Sequence, residues 1–109
     1  MRRRPRIRSN RERRTRVDLH MHTVASDGHG TSASLLKAAA EGRLDAIAIT
    51  DHDLPPTLAP GAHQVGGRQV WVVSGVEVST MYEDQELHLL VYFPNAIPDD
   101  FAAWCTGRA

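Results

Sequence analysis

The chain has 109 residues, of which 41% are hydrophobic, with 13 basic residues, 13 acidic residues and one cysteine. This length allows one domain of ordinary size, and the hydrophobic fraction is typical of a folded domain rather than of a disordered chain. The single Cys105 excludes an internal disulfide framework, and no apolar run approaches the roughly 18 residues of a membrane helix. We therefore expect a cytoplasmic protein that has no membrane partner.

Basic and acidic residues are separated along the chain. Residues 1–16 contain nine arginines and one glutamate, whereas residues 17–109 contain four basic and twelve acidic residues. The first segment has too few apolar residues to form a core, so we expect a disordered basic arm over 1–16 and a folded part over 17–109. Such an arm is typical of a contact to nucleic acid or another polyanion. The alternative is a leader that was counted into the protein by an early start codon.

The folded part begins with a pattern that predicts a strand–helix–strand unit. Alternating apolar and polar residues predict a strand over 17–22. Thr31 or Ser32 is the expected cap of a helix that ends near Gly42. The apolar run over 45–50 predicts a second strand, buried on both faces and parallel to the first.

The rest of the chain predicts a loop, two further strands and a short helix. Three prolines and three glycines over 54–67 indicate the loop. Strands are expected over 70–74 and 86–93, and the first turns of a helix over 98–104. The whole pattern predicts an α/β fold with about four strands.

Six candidate metal ligands lie on successive predicted strands or in the residues that follow them: His20, His22, Asp27, His52, Glu77 and His88. In parallel α/β folds the carboxyl ends of the strands meet at one edge, where binding sites are built. His20 and His22 are two residues apart on a strand, so both imidazoles should point to the same face. The Glu77 carboxylate can bridge two cations, as in two-metal sites. Mixed imidazole and carboxylate ligands favour Zn, Mn or Fe over Mg or Ca.

Each of these residues also has a purely structural interpretation. A His-x-His pair on a strand is often a surface pair, and the Thr-Asp-His sequence after a strand can be a capped turn. Glu77 can be an exposed strand-end charge, and His88 can be a half-buried strand residue. The regular order of these features along successive strands favours a metal site over the alternatives. His29 and His63 lie in loops outside this pattern, so we leave them out.

Together these motifs resemble the PHP (polymerase and histidinol phosphatase) family. The segments that carry the resemblance are Asp18–Thr23, Ser26–Gly28, Thr50–Asp53, Gly75–Ser79 and Glu86–Leu90. The resemblance covers about residues 17–93, and within the family these segments are most similar to the small stand-alone phosphoesterases. It implies that the chain is the N-terminal portion, about four strands, of a distorted seven-stranded β/α barrel that holds two or three divalent metal ions.

The resemblance also implies a reaction and a role for each candidate residue. His20 and His22 correspond to ligands of a first metal ion, and Glu77 corresponds to the carboxylate that bridges the first and second ions. His88 corresponds to a ligand of the second ion. The implied reaction is hydrolysis of phosphoesters by a metal-activated water. The implied substrates are phosphorylated small molecules such as nucleoside bisphosphates, or the ends of short RNA or DNA.

Asp27 and His52 correspond to ligands of a third metal ion. Elsewhere in the chain, the sequence departs from the family pattern in two ways. The segment Leu54–Arg68 replaces a helix that the family usually has. The family's later ligands, a histidine and an Asp-x-His motif, have no counterpart, so catalysis by this chain alone stays open. Three interpretations remain: the front part of a phosphoesterase, a truncated non-catalytic metal-binding remnant, or a nucleic-acid-binding module that uses the basic arm.

Overall fold

The structure, a computed structural model, describes residues 14–107. Residues 1–13 of the predicted basic arm lie outside the described residues, so the disorder of that segment stays a prediction. The elements in chain order are β1 (Val17–Met21), α1 (Ser32–Glu41), β2 (Ala46–Ile49), β3 (Gly61–Val65), β4 (Arg68–Val72), β5 (Ser74–Tyr82), β6 (Gln85–Phe93) and α2 (Asp99–Thr106). Within the described range, no helix has the length and apolar character that crossing a membrane requires.

A four-stranded sheet with the order β1-β2-β4-β3 contains the first half of the fold. β2 is parallel to both β1 and β4, whereas β3 pairs antiparallel with β4. α1 covers this sheet, and its Ala39 and Ala40 form a core with Ile47, Val70 and Val72. The removal of these apolar side chains from water holds the helix on the sheet.

The end of β2 is fixed beside the middle of β5 by backbone hydrogen bonds. Only Val73 separates β4 from β5, and its N–H donates to the carbonyl of Ile47 at 2.9 Å. Further along, the Glu77 N–H donates to the Asp51 carbonyl at 3.2 Å, and the Asp53 N–H donates to the Glu77 carbonyl at 3.0 Å. The residues that follow β2 therefore run alongside β5.

β5 and β6 form a long antiparallel hairpin that is separate from the four-stranded sheet. Its two turn residues, Glu83 and Asp84, have φ values of 49° and 66°. Positive φ at both positions is the geometry of the two-residue turn that usually contains Asn-Gly. α2 packs against the hairpin, and its Cys105 lies in a second core with Val76 and Val78.

Several predictions about the elements are confirmed. The fold is mixed α/β, and the parallel pair β1 and β2 is joined through α1. Thr31 is the N-cap of α1 and Gly42 its C-cap. The helix expected over 98–104 forms as α2 and includes Cys105. No helix forms in the segment Leu54–Arg68.

Other predictions were wrong. About four strands were expected, but the described residues contain six, arranged in two sheets. The predicted loop over 54–67 contains β3. A tight turn at Gly66 and Gly67, both with positive φ, connects β3 to β4. A single strand was expected over 70–74, but β4 ends at Val72 and a separate strand, β5, begins at Ser74 and includes Glu77. Arg16, expected at the end of the disordered arm, exchanges two hydrogen bonds with Asp45.

Candidate metal centre

All six candidate ligands converge in one cluster between the ends of β1 and β2 and the β5–β6 hairpin. Their side chains form three overlapping groups, within each of which one ligand atom per residue lies within 4.8 Å of the others. The groups are His20, His22 and Glu77; His22, Asp27 and His52; and His52, Glu77 and His88. His29 and His63 belong to none of these groups.

Glu77 lies at the centre of the cluster, and only 7% of its side chain is exposed. Its Oε1 is 2.7 Å from Nε2 of His20 and 2.9 Å from Nε2 of His22. Its Oε2 is 2.9 Å from Nδ1 of His88 and 3.9 Å from Nδ1 of His52. Burial opposes ionisation of the carboxyl, but the surrounding imidazoles outweigh it and lower the pKa of Glu77. A buried carboxylate is therefore held ionised among four histidines.

Asp27 lies on the other side of His22, in the loop after β1. Its Oδ1 is 2.7 Å from Nδ1 of His22, and its Oδ2 is 3.0 Å from Nε2 of His52. The Asp27 side chain is 65% exposed; the desolvation it does undergo opposes ionisation, but the two imidazoles together outweigh it and lower the pKa of Asp27. The next residue has to be glycine, because a Cβ on Gly28 would lie 2.0 Å from the carbonyl oxygen of His22. This close turn brings Asp27 back toward the cluster.

His22 and His52 each belong to two of the three groups. His22 faces Asp27 through Nδ1 and Glu77 through Nε2, and His52 faces the same two carboxylates through opposite nitrogens. A neutral imidazole offers one lone pair, because its other nitrogen carries a proton. Each of these histidines can therefore bind one ion at a time, and the three groups cannot all be complete at once.

The hairpin adds two residues that sequence analysis missed. Glu86 lies two residues before His88, and its Oε1 is 2.8 Å from His88 Nε2. This hydrogen bond does most to raise the pKa of His88; partial burial opposes it, and Glu77 adds to the rise. Tyr92 donates its hydroxyl to the carbonyl of Leu19, which links β6 to β1 across the cluster. The i, i+2 spacing of Glu86 and His88 on one strand face was the available signal.

Asp51 and Asp53, which flank His52 in the sequence, have hydrogen-bond partners of a different kind from those of Asp27 and Glu77. Asp51 accepts from the N–H of Thr23 at 2.7 Å and from its hydroxyl at 2.6 Å. Asp53 accepts from the N–H of Ser79 at 2.9 Å. Neither carboxylate belongs to the three groups. Both connect the end of β2 to neighbouring segments instead.

Known proteins match most of the folded part of this chain. The PHP domain profile matches residues 18–102. The 5′-3′ exoribonuclease Rnm of Escherichia coli is 41% identical over 75 residues, which cover 67% of this chain and 26% of that protein. The 3′,5′-nucleoside bisphosphate phosphatase of Chromobacterium violaceum is 34% identical over 74 residues, with coverage of 68% and 26%. The chain thus spans about a quarter of the length of these curated relatives.

A solved structure also resembles this chain. It is an amidohydrolase from Chromobacterium violaceum, which matches with a TM-score of 0.63 at 22% sequence identity. The match covers 85% of this chain and 33% of that one. At this level of identity the likeness concerns the fold alone.

Proposed function

Since the chain belongs to the PHP domain family, we propose that it is the metal-binding front part of a metal-dependent phosphoesterase. The observation that carries the proposal is the environment of Glu77, a buried carboxylate with an imidazole nitrogen within 2.9 Å of each of its oxygens. An ionised carboxylate is costly to bury unless a cation or several hydrogen-bond donors compensate it. An arrangement of this kind suits a carboxylate that bridges two cations.

The donor set of the cluster fits divalent transition-metal ions. Four imidazoles and two carboxylates converge there, and mixed nitrogen and oxygen ligands suit Zn²⁺, Mn²⁺ or Fe²⁺. The proposed ligands, ion by ion, are His20, His22 and Glu77; Glu77 and His88; and Asp27 and His52. This allocation uses one nitrogen of each imidazole, so it is compatible with four neutral histidines.

The residues of the cluster would divide the work of phosphoester hydrolysis. Such ions, when bound, activate water and neutralise charge on phosphoryl oxygens. The His20 and His88 side chains are 52% and 40% exposed, which leaves the cluster open to a substrate. Among residues 14–107, Asp27 and Glu77 form their ion pairs with histidines and not with lysine or arginine. The two carboxylates alone would repel a phosphate, so substrate binding here should require the cations.

We propose nucleotides or short oligonucleotides as the substrate class, specifically nucleoside bisphosphates or the ends of RNA or DNA. The names of two relatives support this choice, since one is a 5′-3′ exoribonuclease and the other a nucleoside bisphosphate phosphatase. The cytoplasm stays the expected location on the sequence grounds given above. The basic arm over 1–16 remains a predicted contact to nucleic acid, which deletion of those residues should abolish in a salt-dependent binding assay.

The test begins with the gene. The source locus is sequenced past the codon for Ala109, and the encoded protein is purified. Hydrolysis of adenosine 3′,5′-bisphosphate and of a short 5′-phosphorylated RNA is then measured with and without Mn²⁺. The double variant His20→Ala, His22→Ala should lose bound metal and hydrolysis, whereas the matched control His29→Ala, His63→Ala should keep both. Hydrolysis that survives in the first variant, or that a chelator leaves unchanged, contradicts the proposal.

A further inference from the structure

We infer that Asp51 is a positioning residue of the metal centre, an inference that rests on the proposed function. Asp51 pins the loop that carries Asp27 to the end of β2. Through Ser26 it also favours a proton on Nδ1 of His22, which leaves Nε2, the nitrogen that faces Glu77, as the ligand atom. The carboxylate therefore acts on the cluster without being one of its ligands.

Asp51 is 4% exposed and accepts three hydrogen bonds from the residues just after β1. The N–H and hydroxyl of Thr23 donate at 2.7 and 2.6 Å, and the hydroxyl of Ser26 donates at 2.6 Å. Hydrogen bonds to a charged acceptor are among the stronger ones in proteins, and a buried carboxylate depends on them. The carbonyl of Asp51 meanwhile accepts from the Glu77 N–H. One residue therefore joins the loop after β1 to both β2 and β5.

The pinned loop sets the position of Asp27. Thr23 is held at one end by Asp51, and its carbonyl accepts the Gly28 N–H at 2.8 Å, which closes the turn. Asp27 lies between these two fixed points, with its Oδ2 3.0 Å from Nε2 of His52. Loss of the Asp51 carboxylate would release Thr23 and with it the whole turn.

Ser26 carries the effect of Asp51 to His22. The Ser26 hydroxyl has one proton, and the 2.6 Å bond to Asp51 uses it. The same oxygen is 3.4 Å from His22 Nδ1, so it can only accept a hydrogen bond there. With Asp27 also 2.7 Å from Nδ1, two acceptors favour a proton on that nitrogen. His22 is then left with Nε2 as its ligand atom, beside Glu77.

The test compares Asp51→Ala, Ser26→Ala and Ser26→Thr with Ser32→Ala, which removes a surface hydroxyl from α1. Hydrogen exchange of the Gly28 and Val73 amides is followed in the metal-free chain, and Zn²⁺ affinity is measured by calorimetry. Asp51→Ala should accelerate exchange at Gly28 about tenfold more than at Val73 and weaken Zn²⁺ binding about 10–100-fold. Ser26→Ala should weaken Zn²⁺ binding about tenfold, Ser26→Thr should restore it, and Ser32→Ala should change nothing.

Ser26→Ala keeps the inference testable if Asp51→Ala does not fold. Equal acceleration of the Gly28 and Val73 amides in Asp51→Ala would make Asp51 a general stabiliser and overturn the inference. Wild-type Zn²⁺ affinity in Ser26→Ala would overturn it as well. If the wild-type chain binds no Zn²⁺, the proposed metal centre is wrong, and the contrast between the two amides alone decides whether Asp51 positions the loop.

Discussion

Replacement of Glu77 by glutamine removes the charge at the centre of the cluster and keeps the shape of the side chain. Glu77 belongs to two of the three ligand groups, whereas the group around Asp27 does not contain it. Glu77→Gln should therefore remove two ion sites and leave one. Asp27→Asn should do the reverse, removing one site and leaving two. Glu41→Gln, which neutralises an exposed carboxylate on α1, is the matched control.

The thermal midpoint of unfolding gives the size of the expected effect. An ion present at about 100 times its dissociation constant stabilises the folded chain by about 2.7 kcal/mol per site. For a domain of this size, 1 kcal/mol raises the midpoint by about 4–8 °C, so one site adds about 10–20 °C. Saturating Zn²⁺ should therefore raise the thermal midpoint of the wild type by the contribution of three sites. It should raise the midpoint of Asp27→Asn by the contribution of two sites, and that of Glu77→Gln by the contribution of one.

Two measurements check this prediction. Scanning calorimetry with and without Zn²⁺ gives the midpoints, each variant being compared with its own metal-free form. Elemental analysis of gel-filtered protein gives the number of ions per chain. The reasoning is refuted if Glu77→Gln binds as many ions as the wild type, or if Asp27→Asn loses more of them than Glu77→Gln does.

Three further substitutions test separate parts of the structure. Glu86→Gln removes the negative charge of the acceptor whose hydrogen bond most raises the pKa of His88 in the metal-free chain. Because the pKa of His88 is raised in the folded chain, protonation of His88 stabilises the fold at pH values below its pKa in the unfolded chain. This stabilisation is lost as the pH rises through the pKa of the folded chain, and in Glu86→Gln it should be lost at a lower pH. NMR titration checks this, and an unchanged His88 curve contradicts it. Gly28→Ala should weaken Zn²⁺ binding in calorimetric titration, because its Cβ would lie 2.0 Å from the carbonyl oxygen of His22; wild-type affinity would be evidence against that geometry. Asp84→Gly should stabilise the chain by about 1 kcal/mol in chemical denaturation, because a side chain at positive φ is strained; a lower midpoint would speak against the turn.

The limits of α1 could be predicted from the sequence because they are set by residues next to the helix itself. Thr31 caps α1 through its own side chain, and Gly42 ends the helix, so both signals lie next to the element they define. The hairpins were harder to predict. The turn at Glu83 and Asp84 adopts positive φ without glycine, and β3 follows a proline-rich segment that is typical of a loop. Pairing with β4 outweighs that composition.

The candidate ligands were recognisable because their motifs keep a fixed order and spacing. The environment of Glu77 was not, since its partners lie far away in the sequence; His20, for example, is 57 residues from it. The supporting contacts were also hidden from the sequence. Asp51 and Ser26 are 25 residues apart, and neither has a local pattern that indicates their hydrogen bond. Tertiary contacts of this kind become visible only once the strands are paired.

X-ray diffraction from crystals of the chain grown with Zn²⁺, recorded on both sides of the zinc absorption edge, tests the proposed metal centre most directly. We expect an anomalous peak about 2.0–2.1 Å from the ligand nitrogens of His20 and His22. A second peak should lie about 3.5–4 Å from the first, with the Glu77 carboxylate between them. Zinc peaks elsewhere on the protein, with Glu77 in contact only with histidine side chains, would contradict the account.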